Sequence, residues 1–391
     1  MKTFLRYLSL LVAAVPLVAL VLLLGAPALA PVAGKGADPT GAPASVTPPV
    51  ASLFLPSLAR AARDPDPTGK WTRYALPGDA PFVNRIVMSS SVRGWAVGKT
   101  SAGGAIWCFN GQEWRLESLP AVGELKGLAV VNDADVWAAG AGISTPGALL
   151  HWDGSAWSLT PWSPETLTAI VALSTSDAWT VGAGSASGLS STVYHWNGSA
   201  WAPFPFPVPV FAAEFFSAVA PNDVWLIALG GAQVLHWDGT AWTLKPTAPT
   251  PRWGFSMLTS SEGWTAFGKS SCFDSVPRGA PPCSSLGYIG RWNGVEWSAA
   301  LYTAAYGIND VQAIGPALAW AVGYSDSLPS WNGPIVHTGY LLRWNGQTWV
   351  VLDTLPDARP SLLSVVGASD VWAADRGAAD RGAAIYHFPV P

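Results

Sequence analysis

Two short runs decide the reading of this chain: Asp135-Val136-Trp137-Ala138-Ala139-Gly140, and Leu150-His151-Trp152-Asp153-Gly154-Ser155-Ala156-Trp157. Both recur at a spacing of about 40 to 55 residues. The first returns as Gly94-Trp95, Asp177-Ala178-Trp179, Asp223-Val224-Trp225, Gly263-Trp264, Ala319-Trp320 and Asp370-Val371-Trp372, giving seven copies in all. The second returns at Phe109–Trp114, Trp196–Trp201, Trp237–Trp242, Trp292–Trp297 and Trp344–Trp349, giving only six.

The missing seventh copy is divided between the ends of the repeat region. Tyr386-His387-Phe388 ends the chain as Leu150-His151-Trp152 ends its strand, while Thr68-Gly69-Lys70-Trp71 opens the region like the second half of the hairpin. Repeats of this length that complete one another across the termini predict an all-β fold. The expected architecture is a seven-bladed β-propeller of four-stranded antiparallel blades, closed by an N-terminal strand joining the last blade, which leaves no open sheet edge between first and last blades. Asp-Gly and Asn-Gly between the third and fourth strands predict two-residue turns, with Trp152 opposite Ser155 and Leu150 opposite Trp157. That pairing puts Leu150, Trp152 and Trp157 on one face and makes the repeated tryptophans core.

Upstream of the repeats, Lys2 and Arg6 precede an uncharged apolar stretch over residues 7–24, and the small residues 25–30 follow it. Residues 1–30 are therefore expected to be a signal peptide or an N-terminal membrane anchor. Cleavage after Ala30 would leave Pro31 first, so cutting after Ala28 and no cutting at all both stay open. Residues 31–65 are rich in Pro, Ala and Gly and read as a linker, with one short helix allowed over 51–63. Residues 66–391 form the propeller. The expected location is extracytoplasmic, either secreted or held at a membrane through residues 7–24.

Charged residues make up 12% of the 391 and hydrophobic ones 50%, with 23 Trp. Such a chain buries much of itself. Net charge is -4, from 21 basic and 25 acidic residues, and no basic run exists to neutralise a phosphate backbone, so nucleic acid is not an expected partner. Cys272 and Cys283 lie with ten residues between them in a Gly/Pro/Ser-rich insertion and are expected to pair as a disulfide. Cys108, between Trp107 and Phe109 on an expected strand, reads as a free, inert thiol.

The motifs resemble those of secreted bacterial propellers that carry Trp-Ala-Val-Gly strands and Trp-Asn/Asp-Gly-x-x-Trp hairpins, with a more distant likeness to kelch, sialidase-repeat and photosystem-assembly-factor propellers. The resemblance covers residues 66–391 and implies the fold. It departs from WD repeats, whose Gly-His is absent, and from the sialidase Asp box, whose Gly and Trp stand one position farther from the Asp. Function does not transfer with such a fold.

No nucleophile–base order, phosphate loop or metal spacing emerges, so no catalytic residue, metal or cofactor is expected. His151, His195, His236 and His387 share one repeat slot, filled elsewhere by Arg291, Arg343 and Cys108. They are expected to hydrogen-bond a neighbouring blade. Asp135, Asp177, Asp223 and Asp370 recur two residues before the first Trp and are expected to accept backbone N–H bonds there. His337 stands alone.

Nineteen of the tryptophans occupy repeat positions, and Trp107 shares an apolar slot with Leu150 and Tyr194, which leaves Trp162, Trp253 and Trp331 unassigned. All three fall on the side of the ring that carries the inter-blade loops. The insertions 269–287, 324–338 and 375–383 and the segment 203–211, with Phe204 and Phe206, fall there too. Arg85, Arg252 and Arg359 stand near the entries to three blades. These eight residues are the candidate ligand-binding set, with protein or glycan as the expected partner and a monomer as the expected state. The function expected is that of an extracytoplasmic binding scaffold, not an enzyme. The alternatives are a propeller-fold glycoside hydrolase or lyase, for which the three arginines would have to converge, and a structural cell-surface domain without a ligand.

Overall fold

In the computed structural model the described residues are 71–389, without 163–164, 185–189, 229–232, 248–253, 273–282, 299–301, 329–333 and 379–381, and without the side chains of 269–272, 283–285 and 303. The expected signal, the linker with its short helix, Arg252, Trp253 and Trp331 lie outside the described residues.

The described chain is all-β, with seven antiparallel sheets of four strands each. Blade 2 is representative. Its strands, Leu125–Asn132, Asp135–Ala141, Gly147–Trp152 and Trp157–Trp162, pair in chain order from the channel outward. The inner strands of successive blades touch all the way round, and the last, Pro360–Gly367, touches the first, Phe82–Ser90. The molecule is a seven-bladed β-propeller.

Closure follows the split motif. Blade 7 takes three strands from the C-terminal side, and Thr72–Ala75 pairs with its third strand in the register Thr72↔His387, Arg73↔Tyr386, Tyr74↔Ile385 and Ala75↔Ala384. Trp71 then sits 4.9 Å from the Phe388 ring, the seventh of the hairpin aromatic pairs.

The core is aromatic and lies between blades. The seven second-strand tryptophans are 0 to 6% exposed, and each packs on the hairpin aromatics of the next blade. Trp137 meets Trp196 and Trp201 at 5.6 and 5.7 Å, Trp179 meets Trp237 and Trp242 at 5.2 and 5.4 Å, and Trp372 meets Phe109 of blade 1 at 4.9 Å. Blades widen outward, so large flat indoles fill the wedge between them, each contributing a few kcal/mol of apolar burial at most.

The hairpins differ from the expected two-residue turn. Trp152 pairs with Trp157 and Leu150 with Leu159, leaving a four-residue loop, 153–156. The cause is the Asp side chain: Asp153 Oδ1 accepts the backbone N–H groups of Ser155 and Ala156, at 2.8 and 2.9 Å. Asn110, Asn197, Asp238, Asn293 and Asn345 do the same in their blades. With this Asx cap only the glycine is left-handed (φ +91 to +94° in all six). A shift of two residues preserves side-chain parity, so the expected face for Leu150, Trp152 and Trp157 is the observed one.

Polar side chains also stitch inner strands together. Ser217 Oγ accepts the Met257 N–H, Ser256 Oγ that of Ala313, Gln312 Oε1 that of Val365, and Ser364 Oγ that of Met88, at 2.8–3.0 Å. The equivalent residues of blades 1 to 3, each likewise opposite its second-strand Trp, are Val87, Ala129 and Val171.

Candidate functional site

Six of the inner strands begin with a register shift, which leaves Asn84, Lys126, Thr168, Glu214, Asn309 and Ser361 out of the ladder. A bulge re-aims the side chains around it, and here it does so at the loop-rich end of the channel. Asn84 Nδ2 donates to Leu125 O and Glu124 Oε1, at 2.8 and 2.9 Å, and Thr168 Oγ1 donates to Ala213 O at 2.8 Å. All three bonds tie a blade to the next one.

Arg85 reaches across this opening from blade 1 to blade 4. Its Nη2 donates to Glu214 O at 3.3 Å, and its guanidinium lies 4.4 Å from the centre of the Phe215 ring. Arg376, which follows the second strand of blade 7, donates to Asn84 Oδ1 at 3.4 Å. Asp310 of blade 6 accepts the Val311 and Leu363 N–H groups, both at 2.9 Å. Two guanidinium groups thus face the carboxylates of Asp310, Glu214 and Glu124.

Burial governs the electrostatics. It pushes the Asp310 carboxyl up to about 6, against the pull of Arg85 and the two backbone N–H bonds. It also lowers Arg85 to about 10, with repulsion from Arg376 adding to the effect. Arg376 is lowered by burial as well. Fixed guanidinium donors beside a carboxyl that titrates near neutrality can hold a carboxylate, a carbonyl or an amide of a ligand entering from the loop side.

Of the arginines picked out from sequence, the two that are described, Arg85 and Arg359, take different partners. Arg85 lines the channel, whereas Arg359 grips Asp326 through Nε and Nη2, at 3.1 and 2.6 Å, and lies over Tyr324. His337, solitary in sequence, joins that pair, its Nδ1 2.7 Å from Asp326 Oδ1. The described aromatic candidates, Trp162, Phe204 and Phe206, lie between blades. Trp162 is buried, edge-on to Tyr194 at 4.9 Å and to Trp201 at 6.2 Å, because it ends an outer strand on the face turned toward blade 3. Phe204 packs on Trp179 and Trp237, and Phe206 on Trp242. These three side chains bridge neighbouring blades instead of standing free on loops.

The repeated histidines bond within their own blade, not to a neighbour. Nε2 of His151, His195, His236 and His387 lies 2.8–2.9 Å from Oδ1 of Asp135, Asp177, Asp223 and Asp370 respectively. Each ring also covers the second-strand Trp of its blade, at 4.0–4.3 Å. The aspartates therefore serve a side chain where backbone N–H groups were expected. Blade 5 substitutes both members, pairing Glu262 with Arg291 over Trp264. That paired exchange was a legible signal. Among the described residues no group of three His, Cys, Asp or Glu side chains is placed to hold a metal ion.

No family model matches the chain, and no curated protein matches it in sequence. Solved structures do match in fold. YCF48 bound to a D1 peptide is 15% identical, with 84% of this chain and 99% of that one covered and a TM-score of 0.56. YCF48 from Cyanidioschyzon merolae is 16% identical over 82% and 98%, with a TM-score of 0.51. A catalytically inactive histidine-to-alanine form of virginiamycin B lyase from Staphylococcus aureus, with quinupristin, is 13% identical over 82% and 99%, with a TM-score of 0.56. At these identities the likeness is one of fold: the chain is built as those β-propellers are.

Proposed function

We propose that this protein is an extracytoplasmic binding scaffold that receives a segment of a protein partner at the loop-rich end of its channel. The observation that carries the reading is Arg85, held across the opening between blades 1 and 4 beside Arg376 and Asp310. Charged groups fixed by a rigid ring suit the carboxylates and amides of a peptide better than the hydroxyls of a glycan. A propeller of the same architecture, YCF48, has been solved with a D1 peptide bound, which supports the reading. The apolar stretch 7–24 supports export, with the propeller released or retained through that stretch, and a monomer suffices for the site. A lyase reading draws less support. The neighbouring lyase is inactive as a histidine-to-alanine form, while the five histidines here are all paired with aspartates.

A random peptide library selected against the immobilised full chain tests this. Enriched peptides should compete with one another and bind Arg85→Ala at least about tenfold more weakly, a loss of about 1.4 kcal/mol. Arg85→Lys should recover part of the affinity. Peptides that bind Arg85→Ala and Arg376→Ala as well as they bind the unaltered chain, or no enrichment at all, overturn it.

A further inference from the structure

A groove of about 900 Å³ opens between blades 2 and 3, lined by residues of the short turns and of the outer strand. It lies at the outer strands and shares no lining residue with the channel, so it is separate from the site proposed above. One position in the repeat contributes to the groove. Three residues after the outer-strand Trp, blade 3 carries Phe204 and blade 7 carries Tyr74, and each packs on aromatics of the following blade. Leu352 does the same for blade 6. Blade 2 has Thr160 there, too small to fill the wedge by itself, and the sequence has Glu117, Lys245 and Ala300 at that position of blades 1, 4 and 5. The inner strand is equally sparing, since Ala129 stands where blades 4 to 7 carry a polar stitch.

Trp196 and Trp201 are both only half-buried, whereas the corresponding pairs Trp237–Trp242, Trp292–Trp297 and Trp344–Trp349 are buried. Leaving two indoles open forgoes apolar burial that blades 4 to 6 obtain. The groove is polar around this aromatic floor: Asp135, His151, Asp153, Ser158 and Thr160 line it, and among the described residues no lysine or arginine does. Its volume is within the ~300–1,000 Å³ of small-molecule sites.

We propose that this groove binds a neutral oligosaccharide, with pyranose faces stacked on Trp196 and Trp201 and hydroxyls bonded to the polar rim. The absence of cationic side chains and the presence of two carboxylates disfavour phosphorylated, sulfated or uronic ligands. A proline-rich peptide would also stack on indoles, yet prolines bring no N–H donor, whereas the rim offers carboxylate acceptors that sugar hydroxyls can satisfy. Pyranose rings supply both an apolar face and donors.

The test is titration of the full chain with cellohexaose, xylohexaose, mannohexaose and the hexamer of N-acetylglucosamine, followed by calorimetry and indole fluorescence. At least one should bind with a Kd below ~1 mM. Thr160→Phe, which copies the blade 3 arrangement, should weaken it at least about tenfold, and Arg85→Ala should leave it unchanged. If Thr160→Phe does not fold, Trp196→Ala carries the same comparison. Binding by none of the four, binding that survives these substitutions, or equal or tighter binding of a galacturonic acid hexamer or a decaproline peptide overturns the proposal. Loss of peptide capture by Arg85→Ala with sugar binding intact would separate the two sites, so either can fail alone.

Discussion

His236 Nε2 lies 2.9 Å from Asp223 Oδ1, both side chains are buried, and the same carboxylate oxygen accepts the Trp225 indole N–H at 2.7 Å. One aspartate thus fixes the imidazole that covers the tryptophan and the tryptophan itself. Asp223→Ala leaves two buried groups without an acceptor and should lower unfolding free energy by about 1–3 kcal/mol. The exposed-turn change Asp153→Ala should cost less, since water replaces its partners. Urea denaturation followed by indole fluorescence compares the two.

Stitching between inner strands makes a second claim. Ser364→Ala removes the acceptor of the Met88 N–H in the interface where blade 7 meets blade 1. The orphaned donor should cost about 1–3 kcal/mol. Val171→Ala in blade 3, where no such bond exists, should show the smaller loss of a trimmed half-buried side chain. Equal losses would show that the bond adds nothing beyond packing.

How far the sequence carries is clear from these residues. The tryptophans, the blade number and the closing strand were legible because each recurs or is visibly divided between the two ends. The hairpin register was misread by two residues because Asp153 and its equivalents bond backbone N–H groups that a two-residue turn would have left open. The channel was not legible. Bulges interrupt the alternation that tells which way Arg85 or Asp310 points, and Arg85 finds its partner 129 residues away. Thr160 was not legible, because its repeat position is not uniform: Phe204 and Tyr74 stand there, but so do Glu117 and Lys245.

Asp310 sets a pH dependence. Its carboxyl is raised from 3.8 to about 6 by burial, with Arg85, Arg376 and the Val311 and Leu363 N–H groups favouring the ionised form. A raised carboxyl means the folded chain holds a proton that the unfolded chain has released between about pH 4 and 6. Stability therefore falls as pH rises through that window and levels off above it. The stability of the unaltered chain relative to Asp310→Asn should drop from pH 4 to 7 by at most about 3 kcal/mol. Between pH 7 and 8 the difference should stay constant. Urea midpoints at each pH decide it, and an opposite slope would refute it.

The cysteines divide by position. Cys108 is buried and its thiol is pushed up to about 11, chiefly by desolvation, so it should resist iodoacetamide until the protein unfolds. Cys272 and Cys283 are direct backbone partners on adjacent antiparallel strands, where Cα atoms stand about 4.5–5.5 Å apart, inside the range a disulfide spans. Chain exported into an oxidising medium should therefore take up one alkyl group after denaturation and three after reduction. Three before reduction would refute the pairing.

Closure is the most demanding prediction. Tyr74 stacks on Trp372 at 5.8 Å and meets Phe109 edge-on at 5.4 Å, so one side chain of the N-terminal strand touches the last blade and the first. Tyr74→Ala opens a cavity among these rings and should cost about 2–4 kcal/mol. Deleting residues 1–75 does more. It exposes the edge of the Ala384–Pro389 strand and strips Trp71 from Phe388, leaving a hydrophobic, unpaired edge that invites association between chains. The truncated chain should run as aggregate in size-exclusion chromatography, and a synthetic peptide spanning 66–76, added during refolding, should restore a monomeric species by supplying the missing strand. A soluble truncated monomer with unchanged near-ultraviolet dichroism would mean that the ring holds without its closing strand.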